Sequence, residues 1–315
     1  MTAKQSTRKP KALGTEGIQK FNRVKPATNV FITVLFILLA LMTLLPAVFV
    51  LILSLSSERS IQAVGYSFFP AEWSLDTYAY LWRDKEVIGR ALFNSVFVTV
   101  GGTFIGLVLC STMGYALSRP NYYLKKFYTV FIFIPMLFGG GLVASFMVNT
   151  QIYNLRNTYW ILMLPLACST FYIIIMRTFF QTTVPDSVIE SAKIDGARQF
   201  RIFGQIVLPI SLPAIATIGL FFTFGFWNDW FLARVYLNTN RQDLYPLQYV
   251  LISIERNIEF MTRSAQYMTP GHVEKLPGET IRMAIVMVVV LPIACSYPFF
   301  QKYFISGLTI GAVKG

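Results

Sequence analysis

The chain has 315 residues, of which 55% are hydrophobic and only 13% are charged. Soluble domains carry about 25% charged residues, so this composition excludes an ordinary soluble protein and predicts an integral membrane protein. The net charge of +12 would suit a nucleic-acid-binding protein, but the positions of the charges explain it without a nucleic acid.

Six apolar segments are long enough to cross the ~30 Å hydrocarbon layer, which takes about 20 residues of helix. In chain order they cover about 30–56, 88–117, 127–148, 159–180, 209–232 and 281–304. The apolar run of the first segment is about twice that of a signal peptide, so we expect a retained helix. The sequence therefore predicts an all-α integral membrane protein. Its six transmembrane helices lie within 30–308, between a basic tail (1–29) and a C-terminal tail (309–315).

The basic residues predict the orientation of these spans. With the N-terminus in the cytoplasm, the inner side holds 16 basic and four acidic residues, while the other 11 basic and 11 acidic residues cancel. The whole net charge then lies on the cytoplasmic side, as the positive-inside rule requires, and both termini are cytoplasmic. The basic tail can lie against anionic lipid, so no nucleic-acid partner is needed.

Three connections are longer than turns: 57–87 and 235–280 outside, and 181–208 inside. None of them predicts a catalytic or metal site. Cys110, Cys168 and Cys295 all fall in apolar stretches, and His272 is the single histidine. The glycine cluster 139–141 has no following lysine, so it is not a Walker A phosphate loop. We expect no bound cofactor and no enzymatic activity in this chain.

The inner loop 184–209 has a helix-turn-helix pattern. Pro185 ends the preceding helix, and Asp186 or Ser187 is the expected N-cap of a short polar helix. Gly196 permits a turn that a side chain would hinder. A second amphipathic stretch follows before the fifth span, and we expect its apolar residues to share one side: Phe200, Phe203, Ile206 and Val207.

This pattern resembles the EAA loop of bacterial ATP-binding-cassette (ABC) importer permeases, E-A-A-x3-G-x9-I-x-L-P. The matching positions hold Glu190, Ala192, Gly196, Ile206, Leu208 and Pro209, and Ser191 replaces the middle alanine. The triplet Asp195-Gly196-Ala197 and Phe203 are similar to the carbohydrate-uptake branch. The run 226–231, the residues 245–248 and the C-terminal stretch 307–315 resemble maltose-type, MalG-like permeases, close to those of Gram-positive oligosaccharide systems.

The resemblance implies a type I importer permease for a sugar or oligosaccharide, without ATPase activity of its own. Its partners would be a second homologous permease, two ABC ATPase subunits that bind ATP and Mg, an extracytoplasmic sugar-binding protein and membrane lipid. The loop would be the coupling helix that docks on an ATPase subunit. Glu190 would pair with a basic residue there, Gly196 would set the bend, and Phe200 and Phe203 would fill an apolar floor. The remaining implied coupling residues are Ala192, Lys193, Asp195, Ala197, Arg198 and Arg201.

The fifth span supplies the candidate residues for the cargo pathway, because aromatic rings and polar groups together suit a sugar. They are Phe224, Trp227, Asn228, Asp229 and Trp230. An interfacial tryptophan belt and a solvated aspartate are the alternative interpretation. In the maltose-type group the cargo site can lie mainly on the other permease, and the loop 235–280 would contact the binding protein. Gly102 and Gly106 form a G-x-x-x-G pair that can support close helix packing.

Several other functions remain as alternatives. A proton- or sodium-driven secondary transporter usually has inverted repeats and midplane ion ligands, and neither is visible in these six spans. A channel is disfavoured because no pore-like ring motif appears. A loop that merely rests on lipid would not require the glycine or the Leu-Pro spacing. Among ABC importers, amino acids or peptides are the alternative cargo.

Overall fold

The computed structural model describes residues 25–265 and 278–312. The basic tail 1–24, His272 and residues 313–315 therefore lie outside the described residues. Within the described ranges the regular structure is helical, with one isolated bridge between Ser56 and Trp73. The α-helices of more than three residues are α1 (Pro26–Ser54), α2 (Glu58–Val64), α3 (Asp76–Arg83), α4 (Lys85–Ser118), α5 (Lys125–Leu137), α6 (Gly141–Met147), α7 (Tyr159–Ala167), α8 (Thr170–Thr183), α9 (Asp186–Ile194), α10 (Gln199–Ile202), α11 (Leu212–Trp227), α12 (Phe231–Tyr236), α13 (Leu247–Ala265) and α14 (Glu279–Ala312). Short helical turns lie at Val148–Ile152, Phe203–Val207, Leu208–Ile210 and Gln242–Leu244.

Three of these helices are long and apolar enough to span a membrane without a break: α1, α4 and the Glu279–Pro298 part of α14. Three bent pairs are apolar enough when taken together. They are Lys125–Leu137 with Gly141–Ile152, Tyr159–Ala167 with Thr170–Thr183, and Gln199–Ile210 with Leu212–Trp227. Counted as one span each, the pairs bring the described part of the chain to six candidate spans. The predicted six-helix membrane fold is confirmed.

The bends correct the predicted continuity of the third, fourth and fifth spans, because the fourth is bent by 47° between α7 and α8 and the fifth by 80° between Ile210 and Leu212. The third is bent by 120° between α5 and α6, where Gly141 has a φ of +76°. The glycine cluster that lacks a Walker lysine therefore makes a sharp turn that residues with a side chain rarely adopt. The fifth helix ends at Trp227, and residues 228–230 separate it from α12, so the predicted span to Leu232 is not one continuous helix.

Helix α4 is the centre of the fold, because α7, α8 and α11 all pack against it. Two glycines permit the close approach of α11. A Cβ on Gly102 would lie 2.4 Å from Cζ of Phe226, and one on Gly106 would lie 2.7 Å from Cζ of Phe222. The predicted role of this glycine pair in close packing is confirmed.

The last helix, α14, packs against α1 and α11. Its N-terminus is held by a side chain from another element. The Glu58 carboxylate accepts hydrogen bonds from Thr280 N (3.1 Å), Thr280 Oγ1 (2.9 Å) and Glu279 N (3.4 Å). A carboxylate satisfies the free amides of the first helical turn and is attracted by the positive end of the helix dipole. Glu58 thus ties the connection after α1 to the start of α14.

Candidate functional site

The loop from 184 to 209, called the Gly196 loop below, contains a helix that ends in a sharp glycine turn. Helix α9 ends at Ile194, and Gly196 follows with a φ of +78°. The Gly196 amide donates to the Lys193 carbonyl (3.0 Å), and the Ala197 amide donates to the Ala192 carbonyl (2.9 Å). These two bonds form a Schellman motif, which requires the left-handed backbone that glycine adopts without strain. The predicted turn at Gly196 is confirmed.

The start of α9 corrects the predicted cap. The helix begins at Asp186, Pro185 is the N-cap residue, and no side chain caps the first turn. The Asp186 carboxylate instead pairs with the Arg119 guanidinium at 3.0 Å. A carboxylate within the first turn still interacts favourably with the helix dipole without capping an amide.

Helix α9 has two distinct faces. Ile189 is 2% exposed and Ala192 is 8% exposed, so both point into the protein. The opposite face carries Glu190, Lys193 and Ile194 in solvent. Within residues 25–265 and 278–312, Glu190 has neither a hydrogen bond nor an ion pair, which leaves this carboxylate available to a partner.

The second half of the loop differs from the expected single apolar face. Phe200 is 90% exposed, whereas Val207 is completely buried. The reason is a π-helical turn at Phe203–Val207, which follows α10 directly. A π turn holds one more residue than an α turn, so the side chains after it rotate relative to those before it. Phe200 therefore faces solvent while Val207 packs inside.

Phe203 connects the Gly196 loop to the end of α4. Its ring lies 5.1 Å from the ring of Tyr115, which also meets Phe180 edge-on at 6.1 Å. The Tyr115 hydroxyl donates to Oε1 of Gln199 (3.1 Å), and the Arg119 guanidinium lies 5.2 Å from the Tyr115 ring centre. Sequence reasoning missed Tyr115 and Arg119. The available signal was that the connection after α4 lies at the same end of the bundle as the loop.

A cavity of about 410 Å³ lies between the end of α4 and the Gly196 loop. It holds aromatic rings, two acids and two bases from both elements. Its walls include Tyr115, Arg119, Asn121, Tyr122, Asp186, Glu190, Lys193, Gln199, Phe200 and Phe203. The exposed bases Arg198 and Arg201 and the acid Asp195 lie beside it in the loop, and Arg201 Nε donates to Oε1 of Gln205 (2.9 Å). This end of the bundle presents an apolar ring, an exposed carboxylate and a basic rim.

The other end of α4 carries a cluster of asparagines that we call the asparagine knot: Asn94, Asn149, Asn157 and Asn238. Asn94 is 1% exposed and fully satisfied, because its Nδ2 donates to the carbonyls of Asp243 (2.7 Å) and Tyr245 (3.1 Å). Its Oδ1 accepts from the Tyr159 hydroxyl (2.7 Å). Asn94 therefore joins α4 to the start of α7 and to the connection before α13.

The other asparagines continue the same network. Asn157 has a φ of +60° and accepts from the backbone amide of Asn238 at 2.8 Å, and Asn149 donates to the Tyr236 hydroxyl at 3.2 Å. Beside the knot, a two-point hydrogen-bonded pair with Arg241 (3.0 and 3.1 Å) lowers the pKa of Asp243. Asparagine is one of the few residues that tolerates positive φ, which suits it to this junction.

The predicted pathway residues do not share one environment. Trp227 is 6% exposed and its Nε1 donates to the Val289 carbonyl (3.2 Å), so it packs between α11 and α14. Trp230 lies 5.7 Å from the Arg256 guanidinium. Asn228 is exposed, Phe224 is half-buried, and half-buried Asp229 faces the backbone amides of Phe231 and Leu232. The five therefore remain a predicted group, of which Asn228 is the most open.

In the described part of the chain, no cluster of His, Cys, Asp and Glu could hold a metal ion.

The chain is similar to known membrane transport proteins. Residues 102–310 match the family described as "Binding-protein-dependent transport system inner membrane component". The polygalacturonan/rhamnogalacturonan transport system permease protein YtcP of Bacillus subtilis strain 168 is 38% identical over 279 residues, which cover 89% of this chain and 95% of that protein. Protein LplC of the same organism is 34% identical over 87% of this chain and 90% of its own length.

Among the solved structures with a similar fold is one with a TM-score of 0.73 and 27% sequence identity, covering 90% of this chain and 99% of its own. It is described as a bacterial ABC transporter involved in the import of the acidic polysaccharide alginate.

Proposed function

Because the chain belongs to the family of binding-protein-dependent transport system inner membrane components, we propose that it is the permease subunit of an ABC importer for a sugar or oligosaccharide. The observation that carries the proposal is the Gly196 loop. It combines a Schellman turn, an almost fully exposed Phe200 and a Glu190 that has no partner within residues 25–265 and 278–312, all on one short helical hairpin. Exposed apolar side chains with a polar surround mark interaction sites, so this hairpin suits binding in a groove of another subunit.

The Gly196 loop couples this subunit to an ATPase. Glu190 pairs with a basic side chain of the groove, Phe200 enters its apolar floor, and Arg198 and Arg201 contact its rim. ATP and Mg are bound by two partner ATPase subunits, and this chain converts their closure into a movement of α9. The bonds from Tyr115 and Arg119 pass that movement to α4, which packs on three other helices.

The proposed complex has two further partners. A second, homologous permease completes the pathway, and an extracytoplasmic binding protein delivers the cargo. The loop end of α4 lies in the cytoplasm together with both termini, and the asparagine knot lies at the outer side. The length of α4 supports placing these two ends at opposite surfaces of the membrane, because Asn94 and Tyr115 are 21 residues apart. At 1.5 Å per residue they are separated by about 32 Å, the thickness of the hydrocarbon layer.

The cargo class rests on the relatives. One relative is named for polygalacturonan and rhamnogalacturonan transport, and the solved structure is described as importing an acidic polysaccharide. Further relatives are named for arabinooligosaccharide and galactooligosaccharide transport. Oligosaccharides of acidic polysaccharides are therefore the first cargo to test, and neutral oligosaccharides are the second.

The experiment is ATP hydrolysis by the tagged protein, purified gently from its native membrane and reconstituted in lipid vesicles. We expect an ATPase to copurify and its hydrolysis to rise when a sugar-loaded binding protein is added. A pure chain without an attached ATPase that transports a solute under a proton or sodium gradient would overturn the proposal and establish a secondary carrier.

A further inference from the structure

The break between α7 and α8 exposes irregular backbone at membrane depth. Helix α7 has nine residues and α8 has 14, which correspond to about 14 Å and 21 Å of rise. The hydrocarbon layer is ~30 Å thick, so the break at residues 168–169 lies inside it. Non-helical backbone at that depth is tolerated only where it is buried in protein or lines a water-filled cavity. Ser169 is only partly buried, which favours a water-filled cavity beside it.

Such a cavity, of about 270 Å³, lies between this break and α11. The packing of α11 on α4 creates it. Phe222 and Phe226 occupy the space left by the two glycines of α4 and are 2% and 3% exposed. The neighbouring positions on α11 then turn away from α4. Phe221 is 46% exposed there, and Gly225 has nothing within 4 Å of the place where a Cβ would lie.

The cavity offers an aromatic surface next to hydrogen-bonding groups. The rings of Tyr172 and Phe221 are nearly parallel, at 8° and 6.1 Å between centres, and Phe222 meets Tyr172 edge-on at 4.7 Å. Ser169 contributes a hydroxyl, while its backbone carbonyl already accepts a hydrogen bond from the amide of Ile173 (3.2 Å). A sugar ring has an apolar C–H face that packs on the electron-rich face of an aromatic ring, and a rim of hydroxyls that need partners. The volume is near the lower end of small-molecule sites, ~300 Å³, which suits one ring rather than an oligosaccharide.

We propose that this cavity is a subsite for one sugar ring on the translocation pathway, formed by this subunit itself. The inference rests on the proposed function and adds a site that the predicted pathway residues did not include. Phe221, Gly225 and Asn228 follow one another at i, i+4 and i+7, so they share one face of α11 and its end. The exposed Asn228 extends the stripe, whereas Trp227 points away from it into the packing against α14.

The test fills the cavity without disturbing the fold. In Gly225→Leu the new side chain enters the cavity, while Gly89→Leu places the same side chain on α4, where a Cβ also has nothing within 4 Å. Both variants are measured in the reconstituted complete complex for uptake of labelled oligosaccharide and for basal ATP hydrolysis. We expect Gly225→Leu to lower uptake about tenfold or more, equivalent to ~1.4 kcal/mol of lost interaction, because its side chain occupies the space of the sugar ring. We expect Gly89→Leu to match the wild type in uptake and hydrolysis, and copurification of the ATPase shows whether Gly225→Leu has assembled.

A second variant covers the case in which Gly225→Leu fails to assemble. Phe221→Ala removes a half-exposed ring, and Phe104→Ala removes a 68% exposed ring from α4 as its control. We expect uptake to fall several-fold only in Phe221→Ala, because it removes the stacking surface. If the wild type imports a sugar while the assembled variants Gly225→Leu and Phe221→Ala import it equally well, the subsite is excluded and the proposed function stands. If the wild type imports no sugar, both are overturned.

Discussion

At one end of α4, Asn94 uses both amide protons and its carbonyl oxygen on partners within the chain, whereas at the other end Glu190 has no partner among the described residues. The two ends differ in exposure as well. Asn94 is 1% exposed, while Phe200 of the Gly196 loop is 90% exposed. Satisfied buried polar networks fix one geometry, and unsatisfied exposed groups are available for binding. We infer that the knot holds the helices together and that the loop binds another subunit.

The largest effect on stability is expected when the asparagine knot is broken. Asn94→Leu leaves the Tyr159 hydroxyl and two carbonyls without their partner. We expect the free energy of unfolding to fall by about 3 kcal/mol, since each lost bond costs ~1 kcal/mol and buried groups left unsatisfied cost more. Thermal unfolding of the purified chain measures this.

The control for the knot is Asn228→Leu, because Asn228 is exposed and its side chain donates to the Phe224 carbonyl of its own helix. It should leave the unfolding temperature nearly unchanged. If both asparagine variants unfold at the same temperature as the wild type, the knot does not stabilise the bundle.

The second largest effect is expected from a substitution that distorts the Gly196 loop and leaves the asparagine knot intact. Gly196→Val places a β-branched residue at a φ of +78°, and a left-handed residue costs roughly 1–2 kcal/mol even without the branch. We expect the Schellman turn to open and sugar-stimulated ATP hydrolysis to be nearly lost. Gly204→Val is the matched control, since Gly204 has no positive φ and a Cβ there meets nothing within 4 Å. Equal stimulation of hydrolysis in both valine variants would contradict the role of the turn.

The third prediction concerns charge alone. Glu190→Arg reverses an exposed carboxylate that has no partner in the described chain, so the fold should keep its stability. We expect the amount of copurifying ATPase to fall about tenfold, equivalent to ~1.4 kcal/mol of lost interaction with a basic groove. Glu86→Arg makes the same charge change at the start of α4 and should have no effect on copurification. Retention of the ATPase by the Glu190 variant would exclude the proposed ion pair.

The sequence could predict the six spans and the bend at Gly196, because apolar length and glycine are local signals. It could not predict the geometry that depends on distant partners. The π turn at Phe203–Val207 places Phe200 and Val207 on different faces, and no local sequence pattern predicts that turn. The Asp186 carboxylate pairs with Arg119, which is 67 positions away in the sequence, and it caps no amide of α9. The expected cap at Asp186 was therefore wrong. The pathway group illustrates the same limit, since only tertiary packing distinguishes buried Trp227 from exposed Asn228.

The smallest expected effect tests how the Gly196 loop is coupled to α4. Tyr115→Phe keeps the ring contacts with Phe203 and removes only the bond to Gln199, which is worth about 1 kcal/mol. If that bond transmits movement of the loop to α4, sugar-stimulated ATP hydrolysis should fall about threefold while ATPase copurification stays normal. Tyr123→Phe, at a 95% exposed ring in the same connection, should not change either quantity. A loss of copurification in Tyr115→Phe would instead mean that the bond shapes the docking surface, and unchanged hydrolysis would mean that Phe203 and Arg119 suffice for coupling.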